Sequence, residues 1–139
     1  MYQLSIIIPI YNGEAHLERL LKSIGVIPPS VELILVDNGS TDGSVKIIQA
    51  YRAAHPHAKV VFEKQNGVAS ARNAGLALAK GKYIWFTDAD DAVRSDALLR
   101  ILQIVTAIDF DLFILTTNLL SKAHRCLRPM LKLTLKVKK

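Results

Sequence analysis

Leu4-Ser5-Ile6-Ile7-Ile8-Pro9-Ile10-Tyr11-Asn12-Gly13 is the stretch from which the fold is read. Leu4–Ile10 is an apolar run closed by Pro9, and Tyr11-Asn12-Gly13 is a turn signal. Together they describe a fully buried strand ending in a loop. Glu14 to about Ile24 follows with Leu17, Leu20, Leu21 and Ile24 at three-and-four spacing. That is an amphipathic helix, with Glu14 and Glu18 near its positive N-terminal end.

The same strand-loop-helix order recurs downstream. Val31–Val36 is a second apolar strand. Asp37-Asn38-Gly39-Ser40-Thr41-Asp42-Gly43 is polar and glycine-rich, a loop carrying a helix cap. Helices are expected over Val45–Ala54 and Val68–Ala79, strands over Ala58–Phe62 and Tyr83–Thr87, and turns at Gln65-Asn66-Gly67 and Lys80-Gly81-Lys82. Asp88-Ala89-Asp90-Asp91 follows the fourth strand, Ser95 or Asp96 caps a helix to about Ala107, and Asp111–Thr116 is a fifth strand. This alternation predicts an α/β fold: right-handed units in a mostly parallel sheet with helices on both faces.

Composition narrows the function. Half of the 139 residues are hydrophobic, which argues against disorder, and no apolar run reaches the ~18–20 residues of a membrane span. The start lacks the basic segment and cleavage site of a secretory leader. A lone Cys126 excludes an internal disulfide and a cysteine-rich zinc site, so a cytoplasmic location is expected. The net charge of +6 is unevenly spread: residues 1–111 hold eleven Lys+Arg and all twelve Asp+Glu, whereas residues 112–139 hold seven basic residues and no acid. The slightly acidic body, and a tail without interleaved aromatics, speak against nucleic acid as partner.

In open parallel sheets, ligands bind beyond the carboxyl ends of the strands. The loops predicted there gather Tyr11, Asn12, Asp37, Asp42, Asn66, Asp88, Asp90 and Asp91. The first turn has one glycine where a dinucleotide fingerprint needs three, and no phosphate-binding P-loop run exists. Asp37 is placed to accept hydrogen bonds from a ribose or a base. Asp88 and Asp90, one residue apart at a strand end, suit a hard divalent cation together with substrate phosphates. The combination predicted is a nucleoside diphosphate bridged to protein by Mg²⁺ or Mn²⁺.

Four segments then form a pattern. Ser5–Asn12, Val36-Asp37-Asn38-Gly39-Ser40-Thr41-Asp42-Gly43-Ser44, Asn66-Gly67 with Ala71-Arg72-Asn73-Ala74-Gly75, and Gly81–Asp91 with its DxD resemble, in order and spacing, family 2 glycosyltransferases of the GT-A fold. The resemblance covers roughly residues 3–116. It implies a Rossmann-like nucleotide-diphospho-sugar transferase fold and inverting transfer of a sugar from a nucleotide-sugar to an acceptor hydroxyl. A UDP-sugar stands first among the donors and a carbohydrate or lipid-linked molecule is the acceptor. Carried over, Pro9 and Tyr11 line the base and ribose pocket, Asp37 binds the base, and Arg72 lies near base or diphosphate. Asp88 meets the ribose or donor sugar, Asp90 holds the metal, and Glu14 matches an often acidic position of unassigned role. The family's general base, a carboxylate well beyond the DxD, has no counterpart, because no acid follows Asp111. Residues 1–116 therefore read as a partial donor-binding domain with the C-terminal acceptor half missing, and 117–139 as a basic tail. The alternative is an inactive nucleotide-sugar-binding module or one subunit of a split enzyme.

Plainer readings stand beside these. Asp37 also fits as the cap of its own turn, Arg72 as a surface ion-pair partner, Asp91 and Asp96 as solvated acids at a helix start, and Asn66 and Asn73 as partners of local backbone. His16, His55, His57 and His124 share no metal spacing, and Trp85 and Phe86 suit core or pocket wall. In the tail, Leu131–Lys138 alternates apolar and polar residues as a half-buried strand does. The same segment is also read as a peripheral contact with the cytoplasmic face of a membrane, or as an altered reading frame.

Overall fold

The computed structural model describes residues 1–107, together with the backbone of Leu112–Leu115 and Lys132–Leu135. Strands β1 (Leu4–Ile10), β2 (Val31–Asp37), β3 (Lys59–Phe62) and β4 (Tyr83–Phe86) form one parallel sheet in the order β3-β2-β1-β4. Helices α1 (Glu14–Ile24), α2 (Ser44–Ala54) and α3 (Val68–Leu78) connect them, and α4 (Ala97–Ala107) follows β4. In register, Leu4 faces Val31 and Ile10 faces Asp37, while Ile7 faces Phe86. The observed elements differ from the sequence expectation by a residue or so at their ends.

The two-residue period of the strands divides the core. Leu4, Ile6, Ile8 and Ile10 join Leu33, Leu35, Tyr83 and Trp85 beneath the apolar stripes of α1 and α4 and Ile48 of α2. Ile7, Ile34, Val36 and Ile84 face the other way, against Ala71 and Ala74 of α3. Helix α3 comes close because residue 75 is glycine; a Cβ there would run into the Ile7 side chain. Trp85 is fully buried and belongs to the first of these clusters.

On the α3 side, the next strand positions toward the N-termini hold Ser5 and Glu32, both buried. Glu32 accepts hydrogen bonds from Ser5 Oγ (2.6 Å), Lys59 Nζ (2.6 Å) and the backbone N–H groups of Lys80 and Gly81. Burial pushes its pKa up, but Lys59, Ser5 and the Lys80 N–H together hold it below the usual value. A charged group inside β2 was not singled out in the sequence, where Val31–Val36 reads simply as apolar.

The fifth strand is β5 (Leu112–Leu115), for which the sequence named no partner. It pairs antiparallel with β6 (Lys132–Leu135), Leu112 opposite Leu135, rather than extending the parallel sheet. The alternating segment of the tail supplies that partner strand. His124, Cys126 and residues 117–131 lie outside the described residues. Among the described residues no helix is long and apolar enough to cross a membrane.

Candidate functional site

The parallel register brings the predicted loops to one edge. Loop 11–13 and loop 38–43 are joined directly: Asn12 N–H donates to Ser40 Oγ (3.0 Å), Thr41 N–H to Asn12 Oδ1 (2.8 Å), and Gly13 N–H to Ser44 Oγ (2.8 Å). Asn12 sits at φ 48°, a left-handed conformation that asparagine tolerates. The N-termini of α1 and α2 then exchange carboxylates. Glu14 N–H donates to Asp42 Oδ2 (2.9 Å), and Gly43 N–H donates to Glu14 Oε2 (2.8 Å). Each acid meets the positive end of the other's helix, where unpaired N–H groups need acceptors. Gly43 has no side chain to obstruct this, and a Cβ would strike the Glu14 carboxylate. The Ser44 hydroxyl and the backbone N–H groups of Glu14 and Ser44 hold the half-buried Asp42 below the usual carboxylate range. Glu14 is thus engaged with the start of α2.

Asp37 ends β2 and is 3% exposed. Its Oδ2 accepts the N–H groups of Gly39 (3.2 Å) and Ser40 (3.3 Å). Its Oδ1 is buried with no hydrogen-bond partner among the described residues. One oxygen thus closes the turn, as the plainer reading expects, and the other is left without a partner. An unsatisfied buried acceptor costs about 1–3 kcal/mol, which a ligand donor would remove.

Next to Asp37, Asn38 is buried and ties the second loop to the third. Its Nδ2 donates to Gln65 O (2.7 Å), and its Oδ1 accepts Gly67 N–H (2.8 Å). The sequence reading passed over Asn38; its position directly after the strand-end acid was the available signal. Beside it opens a cavity of about 310 Å³, lined by Pro9, Ile10, Tyr11, Asn38, Asn66 and Gly67 among others. Tyr11 stands 65% exposed at this site, a free aromatic face. A larger apolar groove of about 910 Å³ lies between α1 and α2 at the opposite end of the sheet and contains none of the predicted site residues.

The fourth loop holds the carboxylates. Asp88, Asp90 and Asp91 each offer an oxygen within 4.8 Å of the others. Asp91 is not a solvated helix start: its Oδ2 accepts the Thr87 hydroxyl (3.2 Å) and Asp88 N–H (2.9 Å), closing the turn. Asp96 is ion-paired with Arg94 and Arg100. Asp88 pairs with Arg72 of α3 at 2.9 Å, and that guanidinium lies 6.0 Å from the centre of the Phe86 ring. Arg72 is thereby an ion-pair partner, and its partner is Asp88, itself one of the predicted site residues. Three clustered carboxylates are an all-oxygen donor set, which fits Mg²⁺ or Mn²⁺.

The site can be set against known proteins. The family model described as glycosyl transferase family 2 matches residues 5–120. An uncharacterized glycosyltransferase of Haemophilus influenzae is 42% identical over 97 residues, spanning 68% of this chain and 39% of that protein. S. aureus TarS residues 1–349, solved in complex with UDP, superposes with a TM-score of 0.71 at 29% identity, over 79% of this chain and 34% of that one. A mannosyltransferase of Pyrobaculum calidifontis, solved with GDP-Man and Mn²⁺, gives 0.67 at 25% identity, over 81% and 35%. The chain spans between a third and two-fifths of the length of these relatives.

Proposed function

The chain belongs to glycosyl transferase family 2 and has its GT-A fold, and on that premise we propose that residues 1–107 form the donor site of a sugar transfer to an acceptor hydroxyl. The donor is a nucleoside diphosphate-sugar, with a UDP-sugar the first candidate because TarS was solved with UDP. The observation that carries the reading is the buried, unpartnered Oδ1 of Asp37, whose chain neighbour Asn38 lines the cavity with Pro9 and Tyr11. A base N–H donating to that oxygen would satisfy it, while Tyr11 offers its ring to the base or ribose.

Asp90, with Asp88 and Asp91 beside it, would hold the cation. A bound Mg²⁺ or Mn²⁺ supplies neutralisation of the charge that develops on the departing diphosphate. Arg72, ion-paired with Asp88 at 2.9 Å, would offer its guanidinium to the diphosphate oxygens. Inverting transfer needs a base to take the acceptor hydroxyl's proton. Residues 112–139 contain no acid to serve, so the isolated chain is expected to bind donor without turning it over. The same observation favours a second reading, a nucleotide-sugar-binding module.

Calorimetry of the folded chain with UDP and with UDP-sugars tests the proposal. Binding is expected with Mn²⁺ or Mg²⁺ and strongly weakened with EDTA. A folded sample that binds no nucleotide in either condition would overturn the donor-site reading. Sustained multiple turnover by this chain alone would overturn the expectation that it lacks the base.

A further inference from the structure

Asp90 stands at the exposed tip of its loop, and the contacts within that loop do not reach it. The Asp91 carboxylate fixes Thr87 and Asp88, and Asp91 N–H donates to Asp88 O (3.1 Å). Beyond that closed turn, two contacts come from α1. Arg19 Nη2 donates to the carbonyl oxygen of Asp90 at 2.9 Å, and Val93 N–H donates to Ser23 Oγ at 3.0 Å. Ser23 is oriented in turn by donating its hydroxyl proton to Leu20 O at 2.7 Å. Arg19 and Ser23 are four residues apart, so they lie one above the other on a single face of α1. Among the described residues, the exposed Arg19 thus addresses a backbone carbonyl rather than a neighbouring acid.

From this geometry we infer that Arg19 is a positioning residue for the cation site. It pins the peptide after Asp90 and thereby fixes the direction of the Asp90 carboxylate, with Ser23 holding the loop one turn further along. The inference rests on the donor-site reading above and extends it to α1. Positioning and simple charge predict opposite signs. A guanidinium near a cation site repels the cation, so if charge were its only effect, removing it would tighten Mn²⁺ binding. If Arg19 positions Asp90, removing it loosens the site and weakens binding, as loss of an outer partner does at metal sites.

The test titrates Mn²⁺ into the full chain saturated with UDP, following free Mn²⁺ by its EPR signal, with the spectrum of the bound ion and the melting temperature recorded alongside. Arg19→Met is expected to weaken Mn²⁺ about tenfold and to broaden the bound-ion spectrum, with little change in melting because Arg19 is exposed. Arg19→Lys, which keeps a donor for the carbonyl, is expected to recover most of the affinity. Ser23→Ala is expected to weaken binding in the same direction. Equal or tighter Mn²⁺ binding by folded Arg19→Met, or no recovery in Arg19→Lys, would overturn the inference and leave the donor-site reading standing. Absence of Mn²⁺ uptake by the unmodified chain would overturn both.

Discussion

Asp37 carries two jobs on two oxygens, and they are separable by substitution. Oδ2 holds the N–H groups of Gly39 and Ser40, while buried Oδ1 has no partner. In Asp37→Asn the side-chain oxygen can keep the turn, and the amide nitrogen replaces the unsatisfied acceptor with a donor. Nucleotide affinity is expected to fall at least tenfold, because a base N–H would meet another donor, a mismatch of about 1.5–3 kcal/mol. The melting temperature should change little, since the turn keeps its acceptor and one unsatisfied buried group replaces another. Calorimetry and thermal melting on the same sample check both halves; unchanged affinity would remove Asp37 from the base site. This residue was legible in the sequence because it is the acid at the end of an apolar run. That its two oxygens would diverge was not, because the divergence depends on which loop N–H groups reach it. Asn38 went unread for the same reason: its partners, Gln65 and Gly67, lie 27 and 29 residues away.

At the scale of elements, one buried acid secures the end of the sheet opposite the site. Glu32 of β2 collects Ser5 of β1, Lys59 of β3, and the N–H groups of Lys80 and Gly81 at the turn into β4. All four parallel strands are tied through this single carboxylate or its immediate neighbours. Glu32→Ala would leave the Lys80 N–H without its acceptor and take the carboxylate from Lys59, which keeps Leu78 O, while Gly81 N–H keeps Ser5 Oγ; the expected loss is about 1–3 kcal/mol in a urea titration. The pH dependence follows from the lowered pKa. The unfolded chain takes up the Glu32 proton at higher pH than the folded one, so this contribution is complete above the ordinary glutamate value of about 4.5. It disappears as pH falls through the depressed folded value. Melting curves from pH 6 down to pH 3 should therefore drop less steeply for Glu32→Gln than for the unmodified chain; parallel curves would show that the acid sensitivity lies elsewhere. The strands and helices themselves were readable because burial imposes periods of 2 and 3.6. The function of a charge within an apolar run was not, since a sequence does not state which lysine lies 27 residues away on the adjacent strand. The partner of β5 was likewise open until β6 was seen beside it, because an alternating segment specifies a face and not a neighbour.

Over the whole molecule, the charge of +6 is a poor guide to what the site attracts. Residues 1–111 carry a net −1, and the fourth loop alone concentrates three carboxylates where an anionic diphosphate is proposed to sit. Without a cation that edge repels the donor. With one, a single pair of unit charges about 4 Å apart contributes about 4 kcal/mol at the effective dielectric of a protein surface, comparable to a thousandfold in affinity. Contacts this short lie well within the Debye length of about 10 Å at 0.1 M salt, whereas attraction acting over longer distances is screened. The two sources of affinity therefore separate in a salt series. With Mn²⁺ in excess, raising NaCl from about 50 to 500 mM is expected to change the dissociation constant for UDP by less than about threefold. Changing Lys132, Lys136, Lys138 and Lys139 together to Gln should leave it within the same range. A tenfold or greater loss in either experiment would place the anion's attraction in the basic segment, and would move the donor's phosphates away from Asp88, Asp90 and Arg72.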